Sequence, residues 1–121
     1  MLRILLAEDD ESMRVYLTRA LERVGYAVTA VDRGTAAVPL LESEPFDLLL
    51  TDLRMPRMDG RELIARLRAE RPDLPVVVMT GFPPPDGAGA LHGGKAPLRL
   101  LTKPVEIAPL VAALRAVAGL G

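Results

Sequence analysis

The sequence predicts an α/β fold, a doubly wound five-stranded parallel sheet with crossover helices. Three observations carry that expectation. Short apolar runs alternate with amphipathic stretches along the chain, the pattern of strands joined through helices. The runs are nearly continuous in Leu, Val and Ile, as strands covered on both faces require. The chain has 121 residues and is 50% hydrophobic, which suits one domain with a packed core, residues 1–121.

Each element follows in order. Arg3 to Ala7 (RILLA) reads as a fully buried strand. A helix is expected from about Ser12 to Val24, because Met13, Tyr16, Leu17, Ala20, Leu21 and Val24 recur at helical spacing on one face. Gly25 stops it as a C-terminal cap. Ala27 to Val31 is a second strand, and Thr35 to Leu41 a short helix that Pro39 should bend. Phe46 to Thr51 is the third strand, with Asp52 at its end. Leu53 to Asp59 is a loop punctuated by Pro56 and Asp59-Gly60. Arg61 to Glu70 is a helix that turns Leu63, Ile64 and Leu67 to the sheet and ends at Arg71-Pro72. Leu74 to Thr80 is the fourth strand. The stretch from Gly81 to Pro97 then holds four prolines and five glycines, and no helical period survives, so an irregular fourth helix is expected there. Leu98 to Leu101 is the fifth strand. Glu106 to Ala118 is a last helix with Ile107, Leu110, Val111, Leu114 and Val117 inward.

Composition narrows the function. A formal net charge of -1 gives no electrostatic reason to bind nucleic acid or an anionic membrane directly. The absence of cysteine excludes disulfides, thiolate metal sites and thiol catalysis, and suits a cytoplasmic location. The opening apolar run, Ile4 to Ala7, is too short for a signal peptide or a membrane span. The single His92, set among glycines, reads as a solvated loop residue.

Ligands of doubly wound folds sit at the carboxyl ends of the strands. Glu8, Asp9 and Asp10 follow the first strand here, Asp52 the third, Thr80 ends the fourth, and Lys103 follows the fifth. Each alone has an ordinary reading as a turn residue, a helix cap or a solvated loop charge. Their joint occurrence at four strand ends carries the argument. Several carboxylates in one pocket repel one another, and a divalent cation removes the conflict. Magnesium prefers carboxylate oxygens and keeps open positions for a phosphate oxygen. A hydroxyl at Thr80 and an ammonium at Lys103 are donors suited to the remaining phosphate oxygens. Asp52, alone on the central strand, is the candidate nucleophile for an aspartyl phosphate. Glu8 and Asp9 are the candidate metal ligands, and Asp10 the cap of the first helix.

The segments RILLAEDDE, DLLLTDLRMPRMDG, VVVMTG and LLTKP together resemble the response-regulator receiver domain of two-component signalling, over the whole length. The resemblance implies a flavodoxin-like (receiver) sheet and phosphorylation of Asp52 by a histidine kinase or phosphotransfer protein. It implies magnesium held by Glu8, Asp9, Asp52 and the backbone carbonyl of Arg54, with Thr80 and Lys103 on the phosphoryl group. It also implies a cis peptide at Lys103-Pro104, and kinase contacts at Ser12, Met13, Tyr16 and Arg19. Such a domain is not an enzyme beyond taking phosphate from small donors and losing it again. The chain departs from the family at Leu100, where an aromatic residue is usual, and in the stretch after Thr80, where a regular helix is usual. The segments ILLAEDDESMR and TGF…AL…AP…LLTKP also resemble the CpdR-type single-domain subgroup, whose members are phosphorylation-controlled adaptors of the Clp protease. That implies output through contact with a protein, a protease complex among the candidates.

Two rivals share the fold class. A dinucleotide binder needs glycines after the first strand, where this chain has acids that would repel a pyrophosphate. A magnesium-dependent aspartyl-nucleophile phosphatase resembles the chain at Asp52 but carries a second acid two residues on, where Arg54 stands.

Overall fold

Near-continuous apolar runs fold into the three central strands of a parallel sheet, covered on both faces, and two edge strands of mixed burial complete it. The computed structural model describes residues 2–55, 58–82 and 96–119. In chain order the elements are β1 (Arg3–Ala7), α1 (Glu11–Val24), β2 (Ala27–Val31), α2 (Gly34–Ser43), β3 (Leu48–Asp52), α3 (Gly60–Glu70), β4 (Val76–Thr80), β5 (Leu98–Thr102) and α4 (Ile107–Val117). The sheet runs in the order β2-β1-β3-β4-β5, all parallel. This is a doubly wound order, with the reversal of winding between β1 and β3.

Alternate side chains of the central strands divide between two cores. Leu5, Ala7, Leu49, Val76 and Val78 pack with Ala37 and Leu41 of α2 and with Leu63, Ile64 and Leu67 of α3. Ile4, Leu6, Leu48, Leu50, Val77 and Met79 pack with Leu17 and Leu21 of α1 and with Leu110, Ala113, Leu114 and Val117 of α4. The ends of the central strands are therefore held from both sides.

Several expectations need correction. The face of α1 against the sheet is narrower than six residues: Leu17 and Leu21 are buried, and Met13 is partly so. Tyr16 is 48% exposed, since it lies a quarter-turn from Leu17. Val24 is 46% exposed in the last turn, where Gly25 at φ 108° turns the chain away and donates to the Glu22 and Leu21 carbonyls. Asp10 is the N-cap residue of α1, but its side chain makes no capping bond. The helix α2 starts at Gly34 and continues through Pro39 to Ser43. β3 starts at Leu48 and includes Asp52, and β4 starts at Val76. The irregular fourth helix expected between β4 and β5, and His92 with it, fall mostly on residues 83–95, outside the described residues.

Candidate functional site

The carboxyl ends of β1 and β3 lie side by side because the two strands pair from Ile4↔Leu48 to Ala7↔Thr51. Glu8 follows one and Asp52 ends the other. Glu8 is fully buried and Asp52 is 6% exposed. One carboxylate oxygen each from Glu8, Asp9 and Asp52 lies within 4.8 Å of the others. Asp9 is exposed and forms the outer side of this cluster. Asp10 turns only its backbone to it: its N–H donates to Glu8 Oε2 at 3.1 Å.

Lys103 reaches the cluster from the segment after β5. Its Nζ donates to Asp52 Oδ2 at 2.8 Å and to Glu8 Oε1 at 3.1 Å. The Lys103 N–H donates to the Thr80 carbonyl at 2.8 Å, which ties that segment to the end of β4. The Lys103-Pro104 peptide is cis. Thr80 is 1% exposed, and its hydroxyl oxygen accepts the Phe82 N–H at 3.0 Å. Arg54 donates its N–H to Asp52 Oδ1 at 3.2 Å. The structure thus brings Glu8, Asp9, Asp52 and Lys103 together, and sets Thr80 one residue beyond Met79, the cross-strand neighbour of Asp52.

Gly60 explains how the loop after β3 stays close. A Cβ built there would fall 2.6 Å from the Asp52 carbonyl oxygen and 2.8 Å from Leu53 Cα. Its N–H instead donates to the Leu53 carbonyl at 2.7 Å. Asp59 caps α3 by accepting the Glu62 N–H at 3.0 Å. The start of α3 is thereby fixed directly behind the Asp52 backbone.

The electrostatics are those of crowded acids around one bound ammonium. Burial first, with the charge of Asp52 adding to it, raises Glu8 from 4.5 to about 7 despite hydrogen bonds from Asp10 and Lys103. Burial alone would lower the Lys103 ammonium; its hydrogen bonds and charge attraction to Asp52 and Glu8 outweigh that and raise it. Three carboxylates share a pocket whose innermost member resists ionisation. Hard oxygen donors in this arrangement fit a magnesium ion.

Three contributors were not singled out from the sequence. Arg14 donates to the Glu8 carbonyl at 3.0 Å and holds the turn between β1 and α1. Phe82 stacks with Arg54, 4.4 Å from ring centroid to guanidinium carbon. Arg68 is buried and donates to the carbonyls of Leu74, Ala96 and Pro97. An arginine six residues after Glu8, an aromatic two after Thr80 and an arginine among solvated helix charges offer no distinctive pattern. On the outer face of α1, Ser12, Val15, Tyr16 and Arg19 line a shallow groove, while Met13 packs against the core.

A family description, the response regulator receiver domain, matches residues 4–115. The chain belongs to the response regulator receiver family. This receiver is 48% identical over 114 residues to the response regulator receiver protein CpdR of Brucella abortus strain 2308, covering 92% of each chain. It is 39% identical to the response regulator protein FleR of Pseudomonas aeruginosa, over 90% of this chain and 23% of that one. Its fold matches the receiver domain of the sensor histidine kinase PA1611 from Pseudomonas aeruginosa PAO1, with a TM-score of 0.85 at 28% identity and 98% of each chain covered. That structure has a magnesium ion coordinated in its active-site cleft. Receivers act as phosphoacceptors in two-component signalling rather than as classical enzymes. Among the described residues of this one, no helix is long and apolar enough to cross a membrane.

Proposed function

We propose that Asp52 accepts a phosphoryl group from a histidine kinase or phosphotransfer protein, and that the phosphorylated chain signals through contact with another protein. The observation that supports this most is the triad of carboxylate oxygens within 4.8 Å, with Lys103 bonded to Asp52 at 2.8 Å. Glu8, Asp9, Asp52 and the Arg54 carbonyl are the groups to hold magnesium. The ion, when bound, neutralises the carboxylates and the charge of the transferring phosphoryl group. Asp52 supplies the attacking oxygen. Lys103, already on Asp52 Oδ2, is placed to follow the incoming negative charge, and the Thr80 hydroxyl is a donor from the neighbouring strand. Arg14 and the Asp10 N–H keep the Glu8 backbone and carboxylate in place.

The exposed Ser12, Tyr16 and Arg19 along α1 suit contact with the phosphodonor protein. The resemblance to CpdR-type receivers supports a single receiver domain over residues 1–121 and a protease complex as the downstream partner. A phosphatase reading finds no support at position 54, where an arginine stacks on Phe82.

Incubation with acetyl phosphate and magnesium tests the acceptor. The wild-type chain should gain one labile phosphoryl group by intact mass, and Asp52→Asn, nearly isosteric, should gain none while unfolding at a similar temperature. Equal phosphorylation of the variant would end the assignment.

A further inference from the structure

Thr51 precedes Asp52 on β3 and is fully buried. Its cross-strand neighbours are Ala7 and Val78, both members of the core beneath α2 and α3. A hydroxyl in such surroundings needs a partner. Thr51 Oγ1 donates to the Asp52 carbonyl at 2.8 Å. β1 ends at Ala7, opposite Thr51, so that carbonyl stands one position past the β1–β3 ladder. The same peptide group is held at its nitrogen, where the Leu53 N–H donates to the Met79 carbonyl at 3.0 Å. The Asp52–Leu53 peptide is thus fixed at both its oxygen and its nitrogen. Turning it means rotating about the bond from Asp52 Cα to the carbonyl carbon. That rotation would carry Leu53 and Arg54 around relative to the Asp52 carboxylate, whose Oδ1 accepts the Arg54 N–H at 3.2 Å.

We propose that the Thr51 hydroxyl is a positioning group for phosphoryl acceptance: by locking the Asp52–Leu53 peptide, it keeps the Asp52 carboxylate and the Arg54 backbone in register with each other. The proposal rests on the reading of Asp52 as phosphoacceptor. In uptake from acetyl phosphate, an Asp52 carboxylate oxygen attacks phosphorus, the bond from phosphorus to the acetyl oxygen breaks, and acetate leaves. Thr51 touches none of these atoms and acts through the Asp52 backbone. A valine at position 51 fills nearly the same space without a donor, so the Asp52 carbonyl loses the hydroxyl that fixes it. A small misplacement of the attacking oxygen slows the step steeply. A role in packing alone predicts otherwise, because loss of the Thr51 methyl would then matter as much as loss of its hydroxyl.

The test compares wild type, Thr51→Val, Thr51→Ala and Thr51→Ser, all as the full chain and well below their unfolding temperatures. Magnesium binding is titrated by calorimetry, and uptake from acetyl phosphate is followed at saturating magnesium. Thr51→Val and Thr51→Ala should each weaken magnesium binding and slow uptake by about three- to tenfold, the range spanned by the net worth of one hydrogen bond. Thr51→Ser keeps the hydroxyl and loses a buried methyl. It should unfold at a lower temperature than wild type, yet keep the wild-type affinity and rate. That separation of stability from rate is what packing alone would not produce. Thr51→Ser as slow as Thr51→Val overturns the proposal, and so does Thr51→Val as fast as wild type. A phosphorylated wild type with indistinguishable variants overturns the role of Thr51 alone. A wild type that binds magnesium but gains no labile phosphoryl group overturns the phosphoacceptor reading and the role of Thr51 with it.

Discussion

Glu8 is the residue whose state depends most on what the site holds. Burial lifts its carboxyl from 4.5 to about 7, so in the metal-free chain it takes up a proton that the unfolded chain would not hold near neutrality. A group raised on folding stabilises fully below its unfolded value and loses that contribution as the pH rises through its folded value. With EDTA present, the share of stability due to Glu8 should therefore be complete below pH 4.5 and disappear as the pH passes about 7. Saturating magnesium, which favours the ionised carboxylate, should oppose that fall. Melting temperatures across this interval, with and without the ion, check the sign. Glu8→Gln should flatten the metal-free profile there, and an unchanged slope would show that another group titrates. The triad with Lys103 was legible in the sequence because its members are acids and a lysine at strand ends. The N–H donated by Asp10, in place of a side-chain cap, was not, because backbone geometry leaves no mark on residue type.

At the scale of elements, the site depends on α3 starting directly behind Asp52. Gly60→Ala places a Cβ against backbone atoms, 2.6 Å from the Asp52 carbonyl oxygen. Neither neighbour is a flexible side-chain tip, so the loop or the helix must move. Overpacking of this kind costs about 1–3 kcal/mol, and the shift should also weaken magnesium binding. Gly81→Ala is the control, because a Cβ there meets nothing within 4 Å. Urea unfolding and a metal titration on both variants check this; equal behaviour of the two would deny the close approach its role. The strands were legible because two-sided burial demands continuous apolar runs. The helices were legible to within a few residues. The inner face of α1 was not, since spacing does not reveal that its last turn outruns the sheet and leaves Val24 exposed. Arg68 was equally hidden. An arginine on a charged helix reads as solvated, yet its guanidinium closes off carbonyls of Leu74, Ala96 and Pro97 where the chain enters β4 and β5.

Across the whole molecule, one topology gathers distant residues into one pocket. Lys103 and Glu8 are 95 positions apart and Lys103 and Asp52 are 51 apart, yet both pairs are bonded. The order β2-β1-β3-β4-β5 does this by placing the ends of β1 and β3 together at the switch of winding and bringing β5 in beside β4. The expected departure from the family pattern at Leu100 is visible as a half-buried side chain packed on the core. The central claim is that this convergence makes Asp52, among all the clustered carboxylates, the one that carries phosphate. Borohydride reduces an acyl phosphate to an alcohol and so marks the acceptor permanently. The chain, phosphorylated with acetyl phosphate and magnesium and then reduced, should yield homoserine at position 52 when its peptides are sequenced by mass spectrometry. A reduced side chain at Glu8, Asp9 or Asp10, with position 52 unchanged, would contradict the account.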